Sequence, residues 1–221
     1  MPRSAAERRE ELVALYHEAR ACTRCPLHAS RTQVVFGNGN ADADLMFVGE
    51  APGFHEDARG TPFVGRAGQL LDELLAENGM TRADVFVTNV LKSRPPENRD
   101  PQPDEIDACR PHLQRQVELI EPRVICTLGN FATKLLSRSD RGMTQVHGQP
   151  QLREIGGHQV RLYPLFHPAA ALRATRVKEQ LREDFARLPA LIEEWLPRES
   201  ADSPAHESGS PARVEQMGLF G

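Results

Sequence analysis

The chain is short of several things, and each shortage excludes something. No uninterrupted apolar run in its 221 residues approaches the roughly 18–20 that cross a bilayer, so no membrane-spanning helix is expected. The first residues, MPRSAAERREEL, lack the apolar core of a secretory leader, and a cytoplasmic location is expected. Cysteine is sparse: Cys22, Cys25, Cys109 and Cys126 are the only four. In a reducing compartment so few are metal ligands or core residues rather than a disulfide framework. Positive charge is not in excess either. The formal net charge is −4, which argues against a protein that grips nucleic acid over its whole surface.

What is present suits one α/β domain: 39% of residues are hydrophobic, enough for a full core at this length. Short apolar runs at 45–48, 85–90, 124–128 and 160–166 predict four strands, the first three without clean alternation, as in strands covered on both faces. Helical patterns fall at 5–21, 66–78, 104–120, 130–137 and 178–196. Pro103 before Asp104 and Glu105 marks a helix start, and Gly156-Gly157 a hairpin turn between 152–155 and 159–165. The alternation predicts a three-layer α/β/α sandwich around a four-stranded, mainly parallel sheet. The domain spans 1–196. Residues 197–215, rich in Pro, Ser, Ala and Glu, read as a disordered linker, after which 216–220 turn apolar again.

Val48–Leu71 is the most informative stretch. It leaves the first strand, passes five glycines and two prolines, and enters a helix. Ordinary βα connections run about 2–6 residues, so a loop this long at the carboxyl end of a strand predicts a ligand site. A second strand exit, Phe166-His167-Pro168, answers it. Charge is also uneven. Residues 161–182 carry Arg161, Arg173, Arg176, Lys178 and Arg182 against Glu179 alone, and 92–99 carry Lys92, Arg94 and Arg99 against Glu97. A basic rim around one cleft binds phosphates even on an acidic protein.

GEAPG at 49–53, PFVGRAGQLL at 62–71 and FHPAAAL at 166–172 are joined, in order, by CTRCPL at 22–27, RTQVVFG at 31–37 and TNVLKSRPP at 88–96. Over residues 20–190 the set resembles the iron–sulfur, family-4 uracil-DNA glycosylases of bacterial type. The resemblance implies a strand order 2-1-3-4 and a base-excision repair enzyme that hydrolyses the glycosidic bond of deoxyuridine in DNA. It also implies the roles. Asn89 reads the base edge, accepting from N3 and donating to O4. Phe63 stacks on the flipped base, with Gly49 and Ala51 beside it. His167 donates to O2 as the base departs. Ala51 stands where the best-known uracil glycosylases have an aspartate, so Glu50 and Glu56 remain as the acids of the loop, with Glu56 either crowding C5 of the base or holding water; Asp57 reads as a surface charge. Leu172, Arg173 and Lys178 follow the His-Pro exit, where such enzymes push residues into DNA.

The resemblance further implies a 4Fe-4S cluster on Cys22, Cys25 and Cys109, but Ser93 stands at the fourth cysteine position. Ser93 or another group completes the set, or Cys126 substitutes; a thiol in a buried strand is more often core. Zinc also accepts a mixed site, and the resemblance points to iron. A sister branch that bonds covalently to its product is the alternative, a non-turnover uracil-DNA-binding protein. Its Lys-Arg-Arg-Ile-His insertion is missing from Arg94–Pro103, which reads RPPENRDPQP. Finally, Gln216, Met217, Leu219 and Phe220 are similar to the peptide with which bacterial repair proteins dock on the β sliding clamp. A monomer associated with the nucleoid is expected.

Overall fold

A computed structural model describes residues 3–194; the linker and the 216–220 peptide lie outside them. Helix α1 (Ala5–Ala21) starts on a capping box in which Ser4 Oγ accepts from Glu7 N and the Glu7 carboxylate accepts from Ser4 N. There follow β1 (Asn38–Gly39), β2 (Leu45–Gly49), α2 (Phe54–Arg59), α3 (Arg66–Glu77), β3 (Val85–Asn89) and α4 (Pro103–Ile120). The second half comprises β4 (Val124–Leu128), α5 (Asn130–Ser137), α6 (Met143–Val146), β5 (Gln151–Ile155), β6 (His158–Leu165), α7 (Pro168–Ala171), α8 (Thr175–Phe185) and α9 (Leu188–Glu193). No helix among the described residues is long and apolar enough to cross a membrane.

The sheet has six strands in the order β1-β3-β2-β4-β6-β5. The four predicted strands form its parallel centre in the expected order. Two antiparallel edge strands widen it beyond the predicted four: β5, the hairpin partner of β6, and the two-residue β1 on β3. Every residue of β2, β3 and β4 is buried, because alternate side chains feed two cores. Met46, Val48, Phe86 and Ile125 meet α1 and α4, whereas Leu45, Phe47, Val85, Val124 and Cys126 meet α3, α8 and α9.

Three readings are corrected. The long connection after β2 is not open loop, since Phe54–Arg59 winds into α2. The helix predicted over 178–196 is two helices, α8 and α9, with Pro189 in the first turn of the second. Asp57 is not a surface charge: it is 5% exposed, and both its oxygens lie 3.1 Å from the Thr32 amide they accept from. That bond ties the segment after the cysteine pair to α2. Asp57→Ala leaves the Thr32 N–H without its acceptor, and the urea midpoint should report a loss of about 1–3 kcal/mol.

Candidate active site and cysteine cavity

The parallel strands end on one edge of the sheet, and register sets Gly49 opposite Asn89 there. A Cβ on Gly49 would collide with Asn89 Oδ1 and come within 2.9 Å of the Phe63 ring. The bare glycine is therefore the floor on which both side chains rest. Asn89 is buried, and its backbone carbonyl accepts from Lys92 Nζ at 2.7 Å. Phe63 is held in a left-handed conformation, φ 55°, uncommon for a bulky residue. Two features outside the predicted site hold it there. Arg82 donates to its carbonyl at 2.9 Å, and Gly68 leaves α3 room to press on the same carbonyl. A glycine inside a helical pattern was the available sign of such a close approach; Arg82 carried none.

His167 faces Phe63, with ring centroids 5.6 Å apart and planes inclined by 25°. It caps α7, and its Nδ1 accepts from the Ala169 amide at 3.0 Å. A neutral imidazole that accepts at Nδ1 carries its proton on Nε2. Burial pushes the ring down to about 4, against an opposing pull from Glu56. Near neutral pH the strand exit thus presents an uncharged Nε2–H donor.

The two acids differ. Glu50 is half-buried, and burial first, then Asp100, raises its carboxyl above the usual range. Glu56 Oε1 accepts from the amides of Val64 and Gly65 at 3.1 and 3.2 Å, so its carboxylate pins the loop to the start of α3, where the helix end favours negative charge. Ala51 packs into the core on the α1/α4 side.

The predicted basic rim is thinner than the charge count. Lys92 is buried. Arg99 pairs with Glu105, Arg182 with Glu77, and Lys178 approaches Glu73 at 3.9 Å. Arg161 lies opposite Val124, the first residue of β4, and reaches α9. Leu172, 39% exposed, and the exposed Arg173 and Arg176 follow His167 along the chain.

Behind Asn89 lies a second site. Cys22 ends α1, Cys25 opens the next turn, and Cys109 sits in α4; with Ser93, Arg31 and His112 they line one small cavity. Burial pushes the Cys25 and Cys109 thiols up, so metal binding there must displace protons. The Lys92 amide donates to Cys109 Sγ at 3.2 Å, and Arg31 donates to Ser93 Oγ at 3.2 Å. Cys126 belongs to the core on the opposite face of the sheet, which removes it from this cavity. His112, not singled out in the sequence, has a buried Nδ1 with no hydrogen-bond partner. Among the described residues no three His, Cys, Asp or Glu side chains gather round a single ion. Three thiols, one hydroxyl and an amide donor to sulfur are donor types compatible with an iron–sulfur cluster.

The His167 geometry makes a spectroscopic prediction. Ring nitrogen shifts should show Nδ1 unprotonated and Nε2 protonated from about pH 5 upward, with a midpoint near 4 instead of 6.5. Because the folded value lies below the unfolded one, the folded state binds fewer protons between those pH values. His167 should therefore lose the fold stability as pH falls from about 6.5 towards 4; a titration midpoint near 6.5 contradicts the assignment.

The uracil DNA glycosylase superfamily model matches residues 36–188. A type-4 uracil-DNA glycosylase of Thermotoga maritima is 45% identical over 188 residues, covering 83% of this chain and 96% of that protein. The type-4 uracil-DNA glycosylase of Archaeoglobus fulgidus is 43% identical over 186 residues, 82% of this chain and 94% of its own. That of Saccharolobus solfataricus is 44% identical over 184 residues, covering 81% and 85%. The matches take in the cleft between the two strand exits as well as the sheet that carries it, and the chain belongs to the type-4 uracil-DNA glycosylases.

Proposed function

We propose that this protein excises uracil from DNA, hydrolysing the N-glycosidic bond of deoxyuridine to release the free base and leave an abasic site. One observation carries the reading: Asn89 and Phe63 meet over the bare Cα of Gly49, and an Nε2-protonated His167 faces the Phe63 ring. Glycosidic cleavage builds oxocarbenium character on the sugar and negative charge on the departing base. The nucleotide must leave the stack first. Leu172, exposed beyond the His-Pro exit, enters the gap, and the exposed Arg173 holds a phosphate. Phe63 offers the flat face on which the base rests, and Asn89 the amide edge that separates uracil from cytosine. The neutral His167 donates from Nε2 to O2, where charge develops, with no proton to lose beforehand. Glu50 is the carboxylate free to hold the attacking water, while Glu56, bound to two amides, keeps the loop in place.

The same reading gives the cysteine cavity an iron–sulfur cluster on Cys22, Cys25 and Cys109. Ser93 Oγ, under the Arg31 guanidinium, is the fourth ligand in place of Cys126. When bound, the cluster supplies a cross-link between the end of α1, the 22–25 turn and α4, behind the strand that carries Asn89. The covalent alternative lacks its histidine: Arg94–Pro103 holds only a short turn, Pro96–Asn98, before α4 begins.

A uracil-containing oligonucleotide tests the reaction. Free uracil should appear over many turnovers with no added divalent metal. Asn89→Ala and His167→Ala should each cost about 100-fold or more in single-turnover rate, the scale of a lost oxyanion donor. Wild-type rates in both variants, or a covalent adduct instead of turnover, overturn the proposal.

We further propose that residues 197–215 tether this domain, 1–196, to a clamp-binding peptide at 216–220, and that the protein works as a monomer on nucleoid DNA in the cytoplasm. The support is compositional: Met217, Leu219 and Phe220 are apolar anchors after a polar linker. A peptide of residues 211–221 should bind a bacterial β clamp at micromolar affinity, and Leu219→Ala with Phe220→Ala should abolish binding while leaving excision unchanged. No clamp binding by the intact protein at high micromolar concentration overturns it.

A further inference from the structure

The cysteine cavity contains one buried polar atom that the fold does not account for. His112 follows Cys109 by three residues on α4, so the two side chains leave the same face of the helix. Its ring is 2% exposed and lies near Arg24, Lys92 and Arg31. Arg24 Nη2 lies 3.0 Å from His112 Nε2. A guanidinium can only donate, so Nε2 accepts and the neutral ring carries its proton on Nδ1. That Nδ1 is buried and unpartnered, a condition few buried donors in folded proteins tolerate.

The side-chain acceptors lining this cavity are three cysteine sulfurs and Ser93 Oγ, and the latter already accepts from Arg31. We infer that the Nδ1–H of His112 donates a hydrogen bond to a cysteine thiolate or inorganic sulfide of the cluster proposed above, and that Arg24 fixes the tautomer that makes it a donor. The inference rests on the cluster reading. It assigns His112 a positioning role and leaves iron ligation to the cysteines and Ser93. Ligation through Nδ1 would require the proton on Nε2, facing the Arg24 N–H, so that two donors oppose each other. Donation suits the local pattern: the Lys92 amide already reaches Cys109 Sγ at 3.2 Å. N–H donors to sulfur stabilise the electron-richer cluster and raise its reduction potential.

The test uses the full-length protein, purified without oxygen. Iron and sulfide are counted first. A folded wild-type protein with neither ends the cluster reading, and this inference with it; a loaded protein separates the two. In loaded protein, His112→Leu should make the midpoint potential more negative. The reduced-to-oxidised ratio at a fixed ambient potential should fall about tenfold, equivalent to 59 mV for one electron. His112→Asn, whose amide N–H lies near the place of Nδ1, should recover most of that shift. An unchanged midpoint in His112→Leu overturns the inference. Should His112→Leu fail to load, electron–nuclear double resonance on the paramagnetic wild type with 15N-labelled histidine decides. A weakly coupled nitrogen with an exchangeable proton supports donation. Strong coupling, which means direct ligation, or no coupling at all, overturns it.

Discussion

The ammonium of Lys92 is where the parts of this protein meet. It is buried and donates to Thr88 Oγ1 at 2.6 Å, to the Asn89 carbonyl at 2.7 Å and to Gln116 Oε1 at 2.6 Å. Burial pushes the amine down to about 7, with Cys109 pulling the other way. Three acceptors match its three protons, the condition under which a buried cation is tolerable. The acceptors belong to different elements, the end of β3 and the middle of α4. The Phe36 carbonyl joins them by accepting from both Thr88 and Gln116. The Lys92 amide reaches Cys109 Sγ, and the Lys92 carbonyl accepts from Val35 N. One residue thus binds the strand end that carries Asn89 to the cysteine cavity.

That junction explains how two sites with different chemistry share one edge of a sheet. On one side of Asn89 the floor is an open glycine, the wall a strained phenylalanine, and the donor an uncharged histidine. All three are fixed by backbone contacts: Gly68 and Arg82 behind Phe63, the Ala169 amide behind His167, and Glu56 across the start of α3. Polar groups held this way need little reorganisation when charge develops on a leaving base, which is the source of their effect on rate. On the other side the thiols sit among Arg24, Arg31 and Lys92. A cationic surround suits the anionic cluster proposed above, and of the three cations Lys92 is the buried one.

Much of this was legible in the residues. Apolar runs without alternation located the parallel strands because strands covered on both faces have no polar side to show. The long Gly/Pro connection and the His-Pro exit located the cleft because both stand at carboxyl ends of strands. Other features were not legible. Asp57 reads like any loop carboxylate until Thr32 folds beside it. Asn38–Gly39 is too short to announce a strand. The positive stretch at 161–182 was counted along the chain, while Glu73, Glu77 and Glu194, which answer three of its cations, lie elsewhere in sequence.

The sequence alone determined the layer order, the strands that end in function and the residue types available there, since periodicity, glycine and proline act locally. Tertiary structure decided which residues those types became. Cys126 is core and not ligand because a strand's alternation turned it to the far face of the sheet. Lys92 is a strut and not a phosphate contact because α4 closed over it. His112 stands beside Cys109 by helix spacing, but the ring nitrogen it leaves to the cavity is settled only by Arg24, 88 positions away, which comes within hydrogen-bond reach of Nε2. Each outcome depends on a partner remote in sequence, and only folding brings remote partners together.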